Sequence, residues 1–313
     1  MEPVNLIVSP APHIRYKATT NRIMLDVIIA LLPAFVFAVW VFGPRAALIT
    51  GVCVLSCVFF EWAFEKILKR KNTINDLSAV ITGMLLAYNL PVTIPVWQAI
   101  FGSFTAIVLV KQLYGGLGKN FANPAITARV VMFLAFPVTM TTWIEPFVWK
   151  TSSDIITGAT PLMLLFKGQA DGLNTLDLFL GFHGGSFGEV SEAALLLGGL
   201  YLLFRRVISW HAPVSFIAVV FALTALAGVN PVHHILSGGL FLGAIFMATD
   251  YVTTPQTNLG RVIFGIGCGI LTVLIRLFGS YPEGVSYSIL IMNTLVPFIN
   301  KITYKKALGG LHE

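Results

Sequence analysis

The sequence is poor in charge. Only 11% of its 313 residues are Asp, Glu, Lys or Arg, against 56% hydrophobic, and an ordinary soluble domain carries roughly twice that charged share. With a mean hydropathy of +0.83, this excludes a water-soluble fold, whose surface could not absorb so many apolar side chains. A bilayer can absorb them. Cysteine is scarce as well. Cys53, Cys57 and Cys268 all lie inside apolar runs, without metal or cluster spacing, and read as small apolar residues. Signal-peptide features are also lacking. The first 21 residues are polar and carry Pro3, Pro10 and Pro12, and the first apolar run begins only after Arg22 with no small-residue cleavage site, so no cleavable leader is expected. The net charge of +6 does not indicate nucleic acid, because Lys and Arg gather at the ends of apolar runs, where they act as topology signals.

What is present is a series of apolar segments, near 23–42, 46–65, 76–90, 96–114, 124–140, 191–204, 213–229, 234–249, 262–278 and 285–300. A membrane-crossing helix needs about 20 apolar residues, so several are short, and 76–90 and 234–249 run into Gly, Pro, Asn or Asp as broken spans do. With the amino terminus inside, 16 of the 20 Lys and Arg residues fall on the inner side, Lys111 and Arg129 among them. The positive-inside rule then places both termini in the cytoplasm.

The halves repeat. Gly83 and then Val92-Thr93-Ile94-Pro95 are matched by Gly243 and then Val252-Thr253-Thr254-Pro255, at an offset of 160. Phe101-Gly102 with Phe264-Gly265, and Tyr114-Gly115 with Phe278-Gly279, continue the register. Five spans per copy is an odd number, so the second copy enters from the opposite side. The expected fold is an all-α integral membrane protein of about ten transmembrane helices, built as two inverted five-helix repeats with broken helices. It divides into a cytoplasmic amino-terminal segment (1–21), a first repeat (22–140), an external loop (141–190), a second repeat (191–300) and a cytoplasmic tail (301–313). The broken pair ends at Asn89-Leu90-Pro91 and at Asp250-Tyr251, near the midplane, where irregular backbone must be buried in protein or line a cavity.

The external loop is the longest polar stretch, and a long loop in a compact protein needs a reason. It is either a linker between repeats or a place for attached chemistry. Within it Asp154-Ile155-Ile156-Thr157-Gly158-Ala159-Thr160 offers a hydroxyl flanked by small residues, and Thr160 before Pro161 also suits a helix start.

These residues resemble the flavinylation motif Asp-x-x-Ser/Thr-Gly-Ala-Thr, on which a flavin transferase links FMN through its phosphate to the last threonine. Gly115-Gly116-Leu117-Gly118-Lys119-Asn120-Phe121-Ala122-Asn123-Pro124-Ala125 resembles the signature loop of the family of Rnf D and Nqr B proteins, membrane components of ion-translocating oxidoreductases. Ala248-Thr249-Asp250-Tyr251-Val252-Thr253-Thr254-Pro255 resembles a second block of that family, with Tyr251 where a proline is expected. Ser9-Pro10-Ala11-Pro12-His13-Ile14-Arg15 resembles its amino-terminal block with one residue inserted. The length lies nearer the Rnf D branch, since Nqr B has a longer amino-terminal extension. The resemblance implies covalent FMN on Thr160, with Asp154, Thr157, Gly158 and Ala159 as the recognition motif. It also implies a non-covalent riboflavin whose ligands are not assigned. The implied partners are the other subunits of an Rnf complex, including a second covalent-flavin subunit. The flavin would act as a one-electron carrier in a bacterial or archaeal cytoplasmic membrane, where the complex couples electron flow between ferredoxin and NAD to Na⁺ or H⁺ movement. The alternative is a solute channel or transporter of the same fold.

Other residues carry two readings each. Asp154 and Thr157 are motif members or an ordinary loop acid and turn residue. Asp250, at the end of an apolar run, is either a functional membrane carboxylate or an interfacial cap. Arg129 either neutralises a flavin phosphate or faces the cytoplasm, as the topology favours. Glu61 and Glu65, at helix spacing from Lys66 and Lys69, read as paired surface charge. His233 and His234 have no third ligand nearby, so no metal site is expected there.

Overall fold

The computed structural model describes residues 19–70, 72–150, 158–169, 172–189, 191–279, 281 and 283–304. These residues form helices and no β-strand. The spans in chain order are α1 (Thr20–Phe42), α2 (Pro44–Ile67), α3 (Ser78–Tyr88), α4 (Val96–Gln112), α5 (Pro124–Ala135), α6 (Glu192–Phe204), α7 (His211–Leu226), α8 (Leu240–Leu242, continued by a π-helical turn over Gly243–Met247), α9 (Asn258–Phe278) and α10 (Val285–Thr303). Of these, α1, α2, α9 and α10 are long and apolar enough to cross a bilayer unaided. By contrast α3, with 11 residues, reaches about 16 Å, roughly half of a ~30 Å hydrocarbon core.

The ends of these helices follow local rules. Thr19, Asn123, Ser191 and Thr257 cap α1, α5, α6 and α9 by accepting hydrogen bonds from first-turn N–H groups, and Pro124 occupies the first position of α5. The apolar run 124–140 does not form one helix. Pro137 cannot continue α5, which ends at Ala135, and a separate turn covers Pro137–Met140. The run 234–249 is helical only over Leu240–Met247, because Ser237-Gly238-Gly239 turns the chain first.

Contacts along the helices establish the inversion. The face where α1 begins is called near, and the face where it ends far. Asp26, close to the near end of α1, accepts from Tyr201 Oη (2.8 Å) and Arg205 Nη2 (3.2 Å) at the end of α6. One turn deeper Gly198 lies so close to Ala30 that a Cβ there would be 2.0 Å from the Ala30 carbonyl oxygen. Numbers rise along one helix as they fall along the other, so α1 and α6, the first helices of the two copies, are antiparallel. The last helices, α5 and α10, are antiparallel too: Arg129 meets Glu283, just before α10, whereas Asn123 meets Asn293 within it. The broken spans α3 and α8 approach end to end, with Asn89 Nδ2 3.8 Å from Met247 Sδ.

Backbone freed at the breaks is satisfied within the protein, as membrane depth requires. Arg45 donates to the carbonyls of Val92 (2.8 Å), Thr93 (3.3 Å) and Ile94 (3.3 Å). Tyr88, at the end of α3, donates through Oη to Leu31 O (2.9 Å), half-way along α1. The loop preceding α6 dips to the same level: Gly188 N donates to Tyr88 O (3.2 Å), and the Phe187 and Tyr88 rings meet edge to face at 5.9 Å. Outside, the helices present apolar side chains, among them Phe204 (86% exposed), Leu226 (83%) and Phe278 (81%), while Glu61, Glu192 and Ser288 are fully buried. Apolar outside and polar within is the arrangement lipid selects.

Because the α1–α6 seam has no room for a side chain at Gly198, Gly198→Ala should cost about 1–3 kcal/mol through overpacking. It should lower the thermal midpoint of the full chain in detergent. Gly51→Ala, whose added methyl would meet nothing within 4 Å, should leave the midpoint unchanged or raise it.

Candidate functional site

On the far side, residues from the long loop, α5 and the turn before α10 surround a cavity of about 460 Å³, a size typical of cofactor sites. Thr160 stands on its wall, half-buried. It caps the short helix Pro161–Phe166, its Oγ1 accepting from Met163 N at 3.2 Å, with extended φ and ψ of −66° and 153°. The threonine–proline pair produces this because threonine accepts at a helix start and proline tolerates the first helical position. Gly158 N donates to Trp143 O (3.2 Å), which pins the segment before Thr160 to the facing loop, and Ala159 is exposed. Asp154 and Thr157 lie outside the described residues.

The remaining walls are aromatic and cationic. Trp143 lines one side, Phe133 and Tyr281 meet edge to face at 5.0 Å on another, and Lys167 and Arg129 also line the cavity. His183 lies on the wall as well, and burial pushes its imidazole below the ordinary value, so it is neutral at pH 7.

Arg129 corrects the topological expectation. It does not face the near side but is buried, with a guanidinium tied to the Glu189 and Asn89 side chains through Nη1 and to Glu283 Oε2 (2.7 Å) through Nη2. Those partners come from the loop before α6, the end of α3 and the turn before α10. One arginine thus joins both repeats to the cavity wall. Sequence reasoning misses Glu189 and Glu283. Both sit at loop–helix boundaries, where a carboxylate reads as an ordinary solvated residue.

On the near side the reading of Glu61 and Glu65 as surface pairs is also corrected. Both are buried. Glu61 Oε1 accepts from Lys111 Nζ (2.7 Å) and Gln112 Nε2 (2.8 Å), and Lys111 Nζ donates to Ser78 Oγ (2.6 Å) at the start of α3. Glu65 accepts from Thr73 N (3.1 Å) and Thr73 Oγ1 (2.5 Å). Lys66 lies instead over the Trp62 ring. Helix spacing alone points to the wrong partners, since the true ones arrive from α4 and the following loop. Asp250 is held locally: its carboxylate accepts from Thr253 Oγ1 (3.1 Å) and Val252 N (3.4 Å), stabilising the turn after α8. It also lines a near-side cavity of about 530 Å³ together with Arg206 and Arg261. Tyr251 donates through its hydroxyl to Val207 O. His233 Nε2 is 3.1 Å from Thr175 Oγ1 and His234 is buried. Among the described residues no group of three or more His, Cys, Asp or Glu could hold a metal ion. The three cysteines are buried in α2 and α9.

Removing Arg129 leaves two carboxylates at membrane depth without their counter-charge. Arg129→Ala should therefore destabilise the chain by about 3–5 kcal/mol, read as a large fall in thermal midpoint or loss of folded protein from detergent extracts. The triple change Arg129→Met, Glu189→Gln, Glu283→Gln, which removes all three charges together, should recover most of the loss.

Comparison with known proteins agrees with this architecture. The model of the NQR2, RnfD, RnfE family matches residues 7–309. The chain is 47% identical over 312 residues (99% of this chain, 97% of the relative) to the D subunit of the Na⁺-translocating ferredoxin:NAD⁺ oxidoreductase complex of Acetobacterium woodii. It is 43% identical over 320 residues (96% of both) to the D subunit of the proton-translocating ferredoxin:NAD⁺ oxidoreductase complex of Clostridium ljungdahlii. To the D subunit of the ion-translocating oxidoreductase complex of Stutzerimonas stutzeri it is 41% identical over 329 residues (94% and 93%). A family match spanning nearly the whole sequence, on an inverted ten-span helical frame, means that this chain belongs to the NQR2, RnfD, RnfE family.

Proposed function

We propose that the chain is the flavin-carrying membrane component of an Rnf-type ion-translocating ferredoxin:NAD oxidoreductase, with FMN held as a phosphoester on Thr160. The observation that carries this reading is the position of Thr160: last residue of the 154–160 motif and on the wall of a cavity of about 460 Å³. The residues there suit an anionic, planar aromatic group. Trp143, Phe133 and Tyr281 offer ring surfaces, and Lys167 and Arg129 offer positive charge to a phosphate. FMN would supply one-electron transfer. The chain's own residues would bind it, orient it and exclude water from one side of it. Arg129 has a second task, since the same guanidinium that faces the cavity holds Glu189 and Glu283.

In this reading the far face lies outside the cytoplasmic membrane of a bacterium or archaeon, and both termini lie in the cytoplasm. A flavin transferase matures the protein. Electrons pass between the far-face flavin, the second covalent-flavin subunit and the membrane part, coupled to Na⁺ or H⁺ movement by the assembled complex and not by this chain alone. A non-covalent riboflavin belongs to the proposal, without residues assigned to it. Asp250, beside a near-side cavity, is the membrane carboxylate to examine first for a part in transport.

Protein produced together with the flavin transferase should show flavin fluorescence after denaturing electrophoresis, and the peptide containing Thr160 should carry the added mass of FMN less water. Thr160→Ala should abolish both signals while leaving the stability within about 1–2 kcal/mol of the parent, the usual cost of a lost cap. A parent protein with no bound flavin would favour the solute channel or transporter, and fluorescence that survives the substitution would move the attachment elsewhere.

A further inference from the structure

Behind the cavity wall lies a group of buried polar atoms to which the flavin assigns no task. Glu192 opens α6 and is fully buried. Among the described residues neither of its carboxyl oxygens has a hydrogen-bond partner. Arg276 of α9, 3% exposed, donates through Nη1 to His234 O and through Nη2 to Ser237 O (3.0 Å). Its Nε is left without a partner, as are Ser237 Oγ and His234 Nδ1. The charges that act on Glu192 are those of Glu189 and Arg276. Glu189 connects this group to the cavity: it lines the cavity wall, and its Oε1 lies so near Gly239 that a Cβ there would be 2.6 Å away. Gly238 is wedged between Leu162, two residues after Thr160, and the Arg276 guanidinium.

A buried carboxylate without donors is not a stable arrangement. The charges around it do not supply what it lacks. Arg129 is bound to both Glu189 and Glu283. Arg276 donates to two backbone carbonyls, and no carboxylate lies within ion-pairing distance of it among the described residues. Counting Arg129, Arg276, Glu189, Glu283 and Glu192, an ionised Glu192 leaves one negative charge in excess, and a single proton removes it. A metal cation would remove it too, but the Arg276 guanidinium repels one, and its free Nε–H is a donor that cannot ligate it. A carboxylic acid fits both neighbours: its O–H can donate, and its carbonyl oxygen can accept from Arg276 Nε–H directly or through a buried water.

We propose that Glu192 is a proton-holding site: a neutral carboxylic acid in the resting protein, exchanging its proton with water of the Thr160 cavity past Glu189. The ligand is a proton and not a metal ion, and the assignment does not rest on the flavin. Groups facing the site from the surrounding elements are Glu189 before α6, His234 and Ser237 before α8, Arg276 in α9, Arg129 in α5 and Glu283 before α10.

Infrared difference spectra of the full chain in lipid nanodiscs, recorded between acidic and alkaline pH, test the assignment. They are taken on the parent and on flavin-free Thr160→Ala, so that the result is independent of the flavin. The carbonyl stretch of a protonated, buried carboxyl should be present in both and lost in each when Glu192→Gln is added. Thermal midpoints give the second readout. An acid kept neutral only in the folded state means that the folded chain binds more protons than the unfolded one, so stability falls as pH rises. Glu192→Gln, a neutral isostere, should fold, match the parent at acidic pH and exceed it at alkaline pH. A carbonyl band unchanged by the substitution, or a variant less stable than the parent at every pH, would overturn the proposal. So would a midpoint raised by Na⁺ in the parent and not in Glu192→Gln, which would make the site a metal-cation site.

Discussion

Polar groups held at membrane depth must find their partners inside the protein, because lipid offers none. The Arg129 guanidinium is where this requirement concentrates. Its links to Asn89, Glu189 and Glu283 tie the end of a broken helix, the loop that dips before α6 and the turn before α10 to α5. The half-length α3 is possible only because its end is received in this way, and because Arg45 takes up the carbonyls that follow. The far-face cavity, the repeat contact and the broken spans thus share one set of charge-assisted bonds.

The two faces obey the same logic with different side chains. Near α3 the start of the broken helix is met by Lys111, which donates to Ser78 and Glu61. Near α8 it is met by Arg276, which donates to His234 and Ser237. In the register that pairs Tyr114-Gly115 with Phe278-Gly279, Arg276 corresponds to Gln112, the neighbour of Lys111 and another donor to Glu61. A buried donor beside each half-helix is therefore a property of the repeat, kept while the residue type changed. Both broken regions also include π-helical turns, over Thr105–Gln112 beside one and Gly243–Met247 within the other, of the kind that gathers at functional sites.

Much of this frame is legible in the residues. Hydropathy marks the spans because lipid selects on local composition, and the Pro-bearing blocks at Val92–Pro95 and Val252–Pro255 mark the breaks because backbone geometry is local as well. Thr160 before Pro161 announces a helix cap for the same reason. The charged interior is not legible. Charge counting sends Arg129 to the cytoplasmic side, and helix spacing sends Glu61 and Glu65 to surface pairs, because spacing along one helix carries no information about partners on another. Arg129 is separated from its carboxylates by 60 and 154 residues, and Glu61 from Lys111 by 50. The walls around Thr160 are hidden in the same way, being assembled from α5, two loops and the turn before α10.

Those separations bear on how the chain is made. Synthesis delivers α5 to the bilayer well before Glu189 and Glu283 exist, and amino-terminal parts settle first. An unmatched arginine at mid-helix costs about 2.5–3.5 kcal/mol on insertion scales, and at that stage Asn89 is the one member of its final set already translated. The first half therefore waits in an unfinished state, shielded by the insertion machinery or shifted toward the headgroups, until the second half brings its acids. Nascent α5 is a provisional guest in the membrane, and the later half of the polypeptide is what admits it permanently.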